Sequence, residues 1–353
     1  MRQTVILRVN PEEPEIDKIR VAADAIRRGG LVAFPTETVY GLGADALNQK
    51  AVAQIYTAKK RPLDNPIIVH VASREEVCKL SESIPERANR LIDNFWPGPL
   101  TLVLKASKTV PKATTGGLDT VAMRMPSHTV ALALIRESKV PIAAPSANLS
   151  GRPSPTTAEH VRQDLGGRID VILDAGSTMV GIESTVLDLT VDPPQVLRPG
   201  GVPYEELGKI LGRVELHPVA IADRRISVAQ VRSPGMKHRH YAPRAQLMIV
   251  EGSLEAIIPK VQELTTRFLK KGKKVGILAT DESESRYSAD VVKSLGSRKD
   301  LATTARNLFR LLREFDMEKV DIIIAEGIAT EGLGLAVMNR LRKASSFNTV
   351  RAD

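Results

Sequence analysis

The sequence predicts an α/β protein with two domains, and three observations lead to this fold class. The chain has 353 residues, which is long for a single hydrophobic core. Up to about residue 203, short apolar runs bounded by turn residues outnumber helix-like segments, which favours a twisted, mixed sheet. Beyond residue 244, strand-like and helix-like segments alternate, which is typical of a smaller, Rossmann-like domain with a parallel sheet.

The N-terminal part contains the elements of the larger domain. Residues 15–28 have helical periodicity and end at Gly29-Gly30, a pair that stops helices. Further helix-like segments occupy residues 50–59, 74–80 and 85–94. Short apolar runs next to turn residues are strand candidates. They are residues 1–10, 31–34, 67–71, 100–105, 121–125, 142–144, 171–174, 185–189 and 195–197.

Residues 206–243 lack this regularity and are predicted to form a basic linker. Between residues 224 and 250 there is no Asp or Glu, whereas Arg and Lys recur. These cations are Arg224, Arg225, Arg232, Lys237, Arg239 and Arg244. Beyond the linker, strands are predicted at residues 247–250, 274–279, 289–295 and 320–325, and helices at residues 254–271, 301–315 and 335–344.

Composition argues against several classes of protein. Aromatic residues make up only 3% of the chain, too few for stacking platforms that bind single-stranded nucleic acid. The single cysteine, Cys78, excludes a disulfide framework and is expected to be inert packing. The longest apolar runs fall short of the about 20 residues that span a bilayer, and the N-terminus lacks a signal-peptide pattern. We therefore expect a cytoplasmic protein, and its net charge of +9 favours anionic partners.

Three consecutive cations, Lys59, Lys60 and Arg61, precede the predicted strand at residues 67–71. Positive charge concentrated at a strand end suits a ligand with several negative charges, such as a nucleoside triphosphate. A solvated charge run at a helix C-terminus explains the pattern equally well. If the segment is extended, Lys60 points away from its two neighbours and stays solvated.

The run from residue 143 to residue 154 is rich in small and hydroxyl-bearing side chains. In an extended segment Ser146 and Asn148 share one face, where they can bind phosphate or ribose oxygens. A turn with local side-chain caps is the commoner origin of this composition.

Two charged or titratable residues interrupt apolar strands. Arg124 lies near the end of a strand, where it can hold a carboxylate in a bidentate manner, although a structural salt bridge is equally compatible. His70 interrupts the strand at residues 67–71, where a satisfied core histidine is the more common explanation. Glu37 and Glu183 are candidate partners of a metal or an ammonium group, with a surface position as the default for each.

Common nucleotide and metal motifs do not account for this chain. The sequence has no Walker loop. Gly41-x-Gly43-x-x-Ala46 fits the dinucleotide fingerprint, but a proline interrupts the preceding strand and no acidic residue ends a second strand. We interpret these glycines as a tight turn or a close backbone approach. His238 and His240 lack an accompanying cysteine or carboxylate, so a metal site there is rejected.

Taken together, three of these segments resemble one family. They are residues 35–43 (Pro-Thr-Glu-Thr-Val-Tyr-Gly-Leu-Gly), the pairing of Lys59-x-Arg61 with Ser146-x-Asn148, and residues 233–243 (Ser-Pro-Gly-Met-Lys-His-Arg-His-Tyr-Ala-Pro). The set is similar to the threonylcarbamoyl-AMP synthases in their long, two-domain form. The resemblance implies a YrdC-like catalytic domain at residues 1–205, a linker or lid at 206–243 and a Rossmann-like domain at 244–353. Lys60, where glycine is frequent, and His238, where an aromatic residue is usual, depart from the family pattern.

The resemblance also implies a nucleotidyltransferase reaction. L-Threonine, bicarbonate and ATP would give L-threonylcarbamoyl-AMP and pyrophosphate. The product would feed the threonylcarbamoyladenosine modification of tRNA next to the anticodon. ATP would bring Mg2+, and the resemblance implies neither a tightly bound cofactor nor a membrane partner. The tRNA and its modifying transfer complex are candidate partners.

Residue roles follow from the resemblance by position. The catalytic residues would be Lys59, Arg61, Ser146 and Asn148. The ATP-binding residues would be Arg61, Asn65, Thr120, Ser146, Ser154, Arg198 and Tyr241, with Tyr241 reaching back from the linker to exclude water. The threonine-binding residues would be Thr38, His70, Arg124, Ala144 and Ser184, with Arg124 on the carboxylate and Ala144 acting through its backbone. No protein side chain is assigned to a metal.

Two other functions remain open on the sequence. A non-catalytic RNA-binding protein could use the basic linker, since residues 224–250 contain no acid. A related carbamoyl transferase is a weaker alternative, because the chain lacks the cysteine-rich zinc segments and the acylphosphatase-like region expected of such enzymes.

Overall fold

The computed structural model describes residues 3–224 and 241–352 of the chain. These residues form two compact units. The first unit contains residues 3–150 and 154–220, and the second contains residues 151–153, 221–224 and 241–352.

The first unit is built on an 11-stranded sheet. Its strands are β1 Val5–Arg8, β2 Val32–Phe34, β3 Gly41–Asp45, β4 Val69–His70, β5 Leu100–Lys105, β6 Thr120–Arg124, β7 Ile142–Ala143, β8 Val171–Asp174, β9 Thr185–Asp188, β10 Gln195–Arg198 and β11 Glu215–Leu216. Their order in the sheet is β1-β8-β2-β3-β7-β4-β6-β5-β9-β10-β11. Parallel pairs such as β4 with β6 occur beside antiparallel pairs such as β5 with β6, which confirms the predicted mixed sheet.

Helices cover both faces of this sheet. They are α1 Ile16–Arg27, α2 Gln49–Lys59, α3 Arg74–Leu80, α4 Glu86–Phe95, α5 Lys112–Thr115, α6 Thr129–Ser138, α7 Ala158–Leu165, α8 Tyr204–Leu211 and α9 Pro218–Ile221. Successive residues of β2 show the period of two, because Val32 and Phe34 pack with α1 and α6 whereas Ala33 packs in the opposite core. The central strands are therefore buried on both sides, and polar side chains on them are held inside the protein.

Several elements differ from the sequence prediction. Gly41 and Gly43 do not form a tight turn but lie in the strand β3, paired antiparallel with β2, so the glycines of the dinucleotide fingerprint are not in a turn that opens a helix. A Cβ on Gly43 would lie 2.7 Å from a methyl group of Ile142, which explains the glycine by close packing. The predicted strand at residues 67–71 is limited to Val69–His70. Residues 206–216, placed in the linker by the sequence, contain most of α8 and β11.

The sequence analysis also missed the helices α5, α6, α7 and α9, of which α6 and α7 are the longest. The N-cap of α6 is His128, whose Nδ1 accepts a hydrogen bond from Val130 N at 3.2 Å, and histidine is not a usual signal for a helix start. The N-cap of α7 is Thr157, which follows the run at residues 143–154 and for which no helix was predicted. Cys78 also differs from expectation, because it is exposed on α3 whereas Val77 and Leu80 face the core.

The second unit is built on a five-stranded sheet in which every pairing is parallel. Its strands are β12 Gln246–Glu251, β13 Val275–Ala279, β14 Val291–Ser294, β15 Ile322–Glu326 and β16 Thr349–Arg351, in the order β14-β13-β15-β12-β16. Its helices are α10 Leu254–Leu269, α11 Leu301–Glu318 and α12 Leu333–Ala344, with a short 3-10 helix at Glu284–Arg286. This confirms the Rossmann-like prediction, although β16 was not predicted. Among the helices in the described ranges, none combines the length and the apolar character that a membrane span requires.

Candidate active site

The cations of residues 59–61 lie at the C-terminal end of α2, not in an extended segment. Lys59 is the last residue of this helix and is only 1% exposed. Its Nζ donates hydrogen bonds to the backbone oxygens of Ser146 and Asn148. Lys60 follows in the left-handed region, with a φ of 53°, and is exposed. Lys60 is thus solvated as expected, but the reason is its position at the C-cap of a helix and not an extended segment. Lys59 instead holds the segment that follows β7.

The segment at residues 146–149 is fixed by its own side chains as well as by Lys59. Ser146 Oγ donates to Asn148 Oδ1 at 2.5 Å, and Asn148 Nδ2 donates to Leu149 O at 2.8 Å. The buried carboxylate of Asp164, on α7, accepts a hydrogen bond from Leu149 N at 3.3 Å. The pairing of Lys59 with Ser146 and Asn148 is therefore a physical contact and not only a sequence pattern.

Arg61 and Asn65 form the loop that leaves α2. Arg61 Nη2 donates to the backbone oxygens of Asn65, at 3.3 Å, and Pro66, at 3.0 Å. Tyr56 OH also donates to Asn65 O, at 3.1 Å. Asn65 is 1% exposed, and within residues 3–224 and 241–352 no hydrogen-bond partner reaches its side-chain Oδ1. A buried amide held in this way is suited to a polar ligand.

Arg124, at the end of β6, is 3% exposed and is surrounded by acceptors. Its Nε donates to Gly98 O at 3.1 Å, and its Nη1 donates to Thr38 Oγ1 at 2.8 Å. Its Nη2 lies 2.6 Å from Glu37 Oε1, and Glu37 Oε2 accepts a hydrogen bond from Ser127 N at 3.2 Å. Glu37 is 2% exposed, so the expectation of a surface carboxylate was wrong for this residue.

His70 lies beside Arg124, since β4 pairs parallel with β6 and these two residues are in register. Burial, followed by the positive charge of Arg124, lowers the pKa of His70 to about 3. The imidazole is therefore neutral near pH 7. Its Nδ1 is buried and has no hydrogen-bond partner in the part of the chain that the structure describes.

Ser184 and Arg198 form a second buried polar group, at 1% and 4% exposure. Arg198 Nη2 donates to Ser184 O at 3.0 Å and to Ser184 Oγ at 3.1 Å. Ser184 Oγ also lies 2.8 Å from Thr101 Oγ1, on β5. A residue predicted to bind threonine and one predicted to bind ATP are therefore in direct contact.

Three further predicted residues are buried in the first unit: Thr120, Ala144 and Ser154. Ala144 N donates to Ile68 O at 2.9 Å, so a backbone contact from Ala144 to a ligand would use its carbonyl oxygen. Ser154 Oγ donates to Glu183 Oε1 at 2.6 Å. Glu183 is 6% exposed, so the default of a surface carboxylate was wrong here too.

In the comparison with known proteins, the N-terminal and the C-terminal parts of the chain match two different family models. Residues 24–200 match the family described as "Telomere recombination", and residues 202–346 match the family described as "Threonylcarbamoyl-AMP synthase, C-terminal domain". The threonylcarbamoyl-AMP synthase of Pyrococcus abyssi is 53% identical over 348 residues, which are 99% of each chain. The chain belongs to the threonylcarbamoyl-AMP synthase family.

Other members of the threonylcarbamoyl-AMP synthase family agree over most of their length. The Bacillus subtilis enzyme is 51% identical over 338 residues, covering 95% of this chain and 94% of its own. A crystal structure of Pyrococcus abyssi Sua5 in complex with L-threonine superimposes with a TM-score of 0.95 at 52% identity, over 99% of this chain and 100% of that one. Because the family consists of nucleotidyl-transferring enzymes, the alternative of a non-catalytic RNA-binding protein was wrong.

Tyr241, the predicted lid residue, lies in the second unit and is 5% exposed. Its ring stacks on Phe309 of α11, with centroids 5.2 Å apart and an interplanar angle of 28°. The guanidinium of Arg340, on α12, lies 5.8 Å from the centroid of the Tyr241 ring. Residues 225–240, including His238 and His240 of the third family segment, lie outside the described residues.

Sequence analysis missed Asp164, and it offered Glu37 and Glu183 only as candidate partners of a metal or an ammonium group, with a surface position as the default. All three are buried carboxylates that contact predicted site residues or the segment beside them. Glu37 carried a usable signal, because it stands between two threonines directly after a buried strand. The described residues contain no group of three or more His, Cys, Asp or Glu side chains that could hold a metal ion.

Proposed function

We propose that the first unit makes L-threonylcarbamoyl-AMP and pyrophosphate from L-threonine, bicarbonate and ATP, in the cytoplasm, for the tRNA modification. The observation that carries this proposal is the buried Arg124, whose guanidinium lies among Thr38, Gly98 and Glu37 beside the neutral His70. Such a site suits a small amino acid, and a relative that is 52% identical has been solved with L-threonine.

The chemistry requires an amine to become a carbamate and the carbamate to attack a phosphorus atom. The threonine nitrogen bonds to the carbon of bicarbonate with loss of water, and the new carboxylate displaces pyrophosphate from the α-phosphate of ATP. Negative charge grows on the phosphoryl oxygens and on the leaving group, so positioned cations are the main requirement. This reaction needs no nucleophilic side chain.

Lys59 and Arg61 are the cations proposed for the ATP side of this reaction. Both are fixed by hydrogen bonds to backbone oxygens, which removes the cost of ordering them when the nucleotide binds. Asn65 would present its buried Oδ1 and its amide nitrogen to the nucleotide. Mg2+ would enter bound to the ATP phosphates and would help to neutralise them.

Arg124 is proposed to hold the threonine carboxylate. A guanidinium has five N–H donors, and the hydrogen bonds to Gly98 O and Thr38 Oγ1 use two of them. Donors therefore remain for a ligand carboxylate. His70, held neutral by burial, would accept a hydrogen bond without adding charge.

The direct test uses the purified full-length chain with MgATP, threonine and 14C-bicarbonate. We expect threonine-dependent pyrophosphate release together with a labelled adenylate that requires all three substrates. Serine and alanine serve as matched controls, because they keep the amino-acid backbone and lack one or both side-chain groups. Absence of release with threonine, or equal release with serine and alanine, would contradict the proposal.

A further inference from the structure

Glu37 and Arg124 form a deeply buried ion pair in the first unit. The side chains are 3% and 4% exposed, and Glu37 Oε1 lies 2.6 Å from Arg124 Nη2. Neither Glu37 Oε1 nor Arg124 Nη2 has a hydrogen-bond partner within the described residues, so the contact between them is an ion pair. The other carboxylate oxygen of Glu37, Oε2, accepts a hydrogen bond from Ser127 N at 3.2 Å.

Stability alone is a poor explanation for this pair. Removing two charges from water costs several kcal/mol per ion, and buried pairs are often replaceable by apolar residues without loss. The pair also lies beside Thr38 and in register with His70, two residues predicted to bind threonine. A functional explanation therefore has to account for a buried carboxylate at this position.

The chemistry of an amino acid supplies that explanation. Its ammonium group is separated from its carboxylate by one carbon atom, so a ligand carboxylate on Arg124 brings the ammonium close to Glu37. The ion pair of Glu37 and Arg124 has no net charge, and a zwitterionic amino acid has none either. Binding of the zwitterion therefore buries no net charge. With Arg124 alone, a bound zwitterion would leave one uncompensated positive charge in the interior.

We propose that Glu37 receives the α-ammonium group of the amino-acid substrate and so selects the zwitterion. This inference rests on the proposed function of the same site, in which Arg124 holds the carboxylate. In the free protein Glu37 pairs with Arg124, and each partner turns to the ligand group of opposite charge when the substrate binds. Glu37 is then a binding residue, and the buried pair is the unoccupied form of an amino-acid site.

The test compares two ligands that differ only in the amino group. Calorimetric affinities for L-threonine and for 3-hydroxybutyrate, which lacks that group, are measured without ATP or bicarbonate on the wild type, Glu37→Gln and Glu37→Asp. Glutamine keeps the shape of the side chain and removes its charge. We expect Glu37→Gln to weaken threonine binding about tenfold or more while 3-hydroxybutyrate binds equally well or better. Glu37→Asp keeps the charge and should bind threonine with intermediate affinity.

Glu326→Gln is the matched control, because Glu326 is a fully buried glutamate paired with Arg298 at 2.9 Å in the second unit. It makes the same chemical change elsewhere and should leave threonine affinity unchanged. Equal losses for both ligands in Glu37→Gln would show that Glu37 only orients Arg124, and unchanged threonine affinity would also overturn the inference. If Glu37→Gln does not fold, the Glu37→Asp variant decides. The inference is wrong if that variant binds threonine no better than 3-hydroxybutyrate. A wild type that binds no threonine would overturn the proposed function itself.

Discussion

Arg198 donates hydrogen bonds to both the backbone oxygen and the hydroxyl of Ser184, at 3.0 Å and 3.1 Å. The two residues lie on different elements, Arg198 at the end of β10 and Ser184 directly before β9. Their proposed ligands also differ, since Arg198 is assigned to ATP and Ser184 to threonine. The contact means that a change at one residue should be felt by the substrate of the other.

Replacement of Arg198 by lysine should therefore raise the KM of both substrates. Lysine keeps the charge but loses the planar fork that reaches two atoms of Ser184. We expect an increase of about tenfold for ATP and a smaller increase for threonine, measured by pyrophosphate release with the other substrate saturating. Ser184→Ala should affect the KM of threonine more than that of ATP, and the reverse order in both variants would contradict the assignment.

Arg124→Lys should weaken threonine binding with little effect on the KM of ATP. Lysine keeps the charge beside Glu37, so no buried carboxylate is left without a cation, but the bidentate geometry is lost. We expect the KM of threonine to rise about tenfold or more at saturating ATP. Equal threonine affinities in the wild type and the variant would refute the role of Arg124.

Lys59→Ala should act mainly on turnover. Removal of the amine takes a buried cation from the proposed phosphate site and frees the segment at residues 146–148. We expect kcat to fall about 100-fold, the scale seen when one preorganised donor is removed, with a smaller change in the KM of threonine. Lys60→Ala is the matched control: Lys60 is the exposed next residue and should keep wild-type kinetics.

His70 should make the folded protein sensitive to acid. Its pKa is about 3 in the folded chain, against about 6.5 for an unfolded histidine, so between these values the unfolded state binds more protons. The stabilising contribution is complete above pH 6.5 and is lost as the pH falls toward 3, by at most about 1.4 kcal/mol per pH unit. His70→Asn removes the titrating group. Chemical denaturation from pH 7 to pH 4 should show a steeper loss of stability in the wild type than in this variant. If the free energy of unfolding falls equally with pH in both proteins, His70 is not the cause of the acid sensitivity.

The sequence was sufficient for the fold class and for most strands of both sheets, because strand patterns are local. Burial was harder to predict. Glu37 meets Arg124, which is 87 positions away, and Ser154 meets Glu183, which is 29 positions away, so neither contact leaves a pattern in its own segment. Cys78 shows the same limit on a helix, where a shift of one residue puts Val77 in the core and the cysteine in solvent.

Gly43 offers a final prediction, on the packing that supports the site. β3 lies between β2 and β7, and a Cβ on Gly43 would stand 2.7 Å from Ile142 Cγ2 and 2.8 Å from the ring of Phe34. These contacts are to buried side chains that cannot move away easily, so Gly43→Ala should destabilise the protein by about 1–3 kcal/mol.

The matched control is Gly208→Ala, in α8. Apart from its chain neighbours and the backbone of its own helix, no atom of the described residues lies within 4 Å of a Cβ built on Gly208, and alanine favours a helix over glycine. The free energy of unfolding of this variant should rise by about 0.5–1 kcal/mol. The same substitution is therefore expected to stabilise the protein at residue 208 and to destabilise it at residue 43. Urea unfolding of both variants measures the difference. A Gly43→Ala protein as stable as the wild type would mean that β2 and β7 can separate to admit a methyl group. The close packing of β3 would then not be what requires glycine at this position.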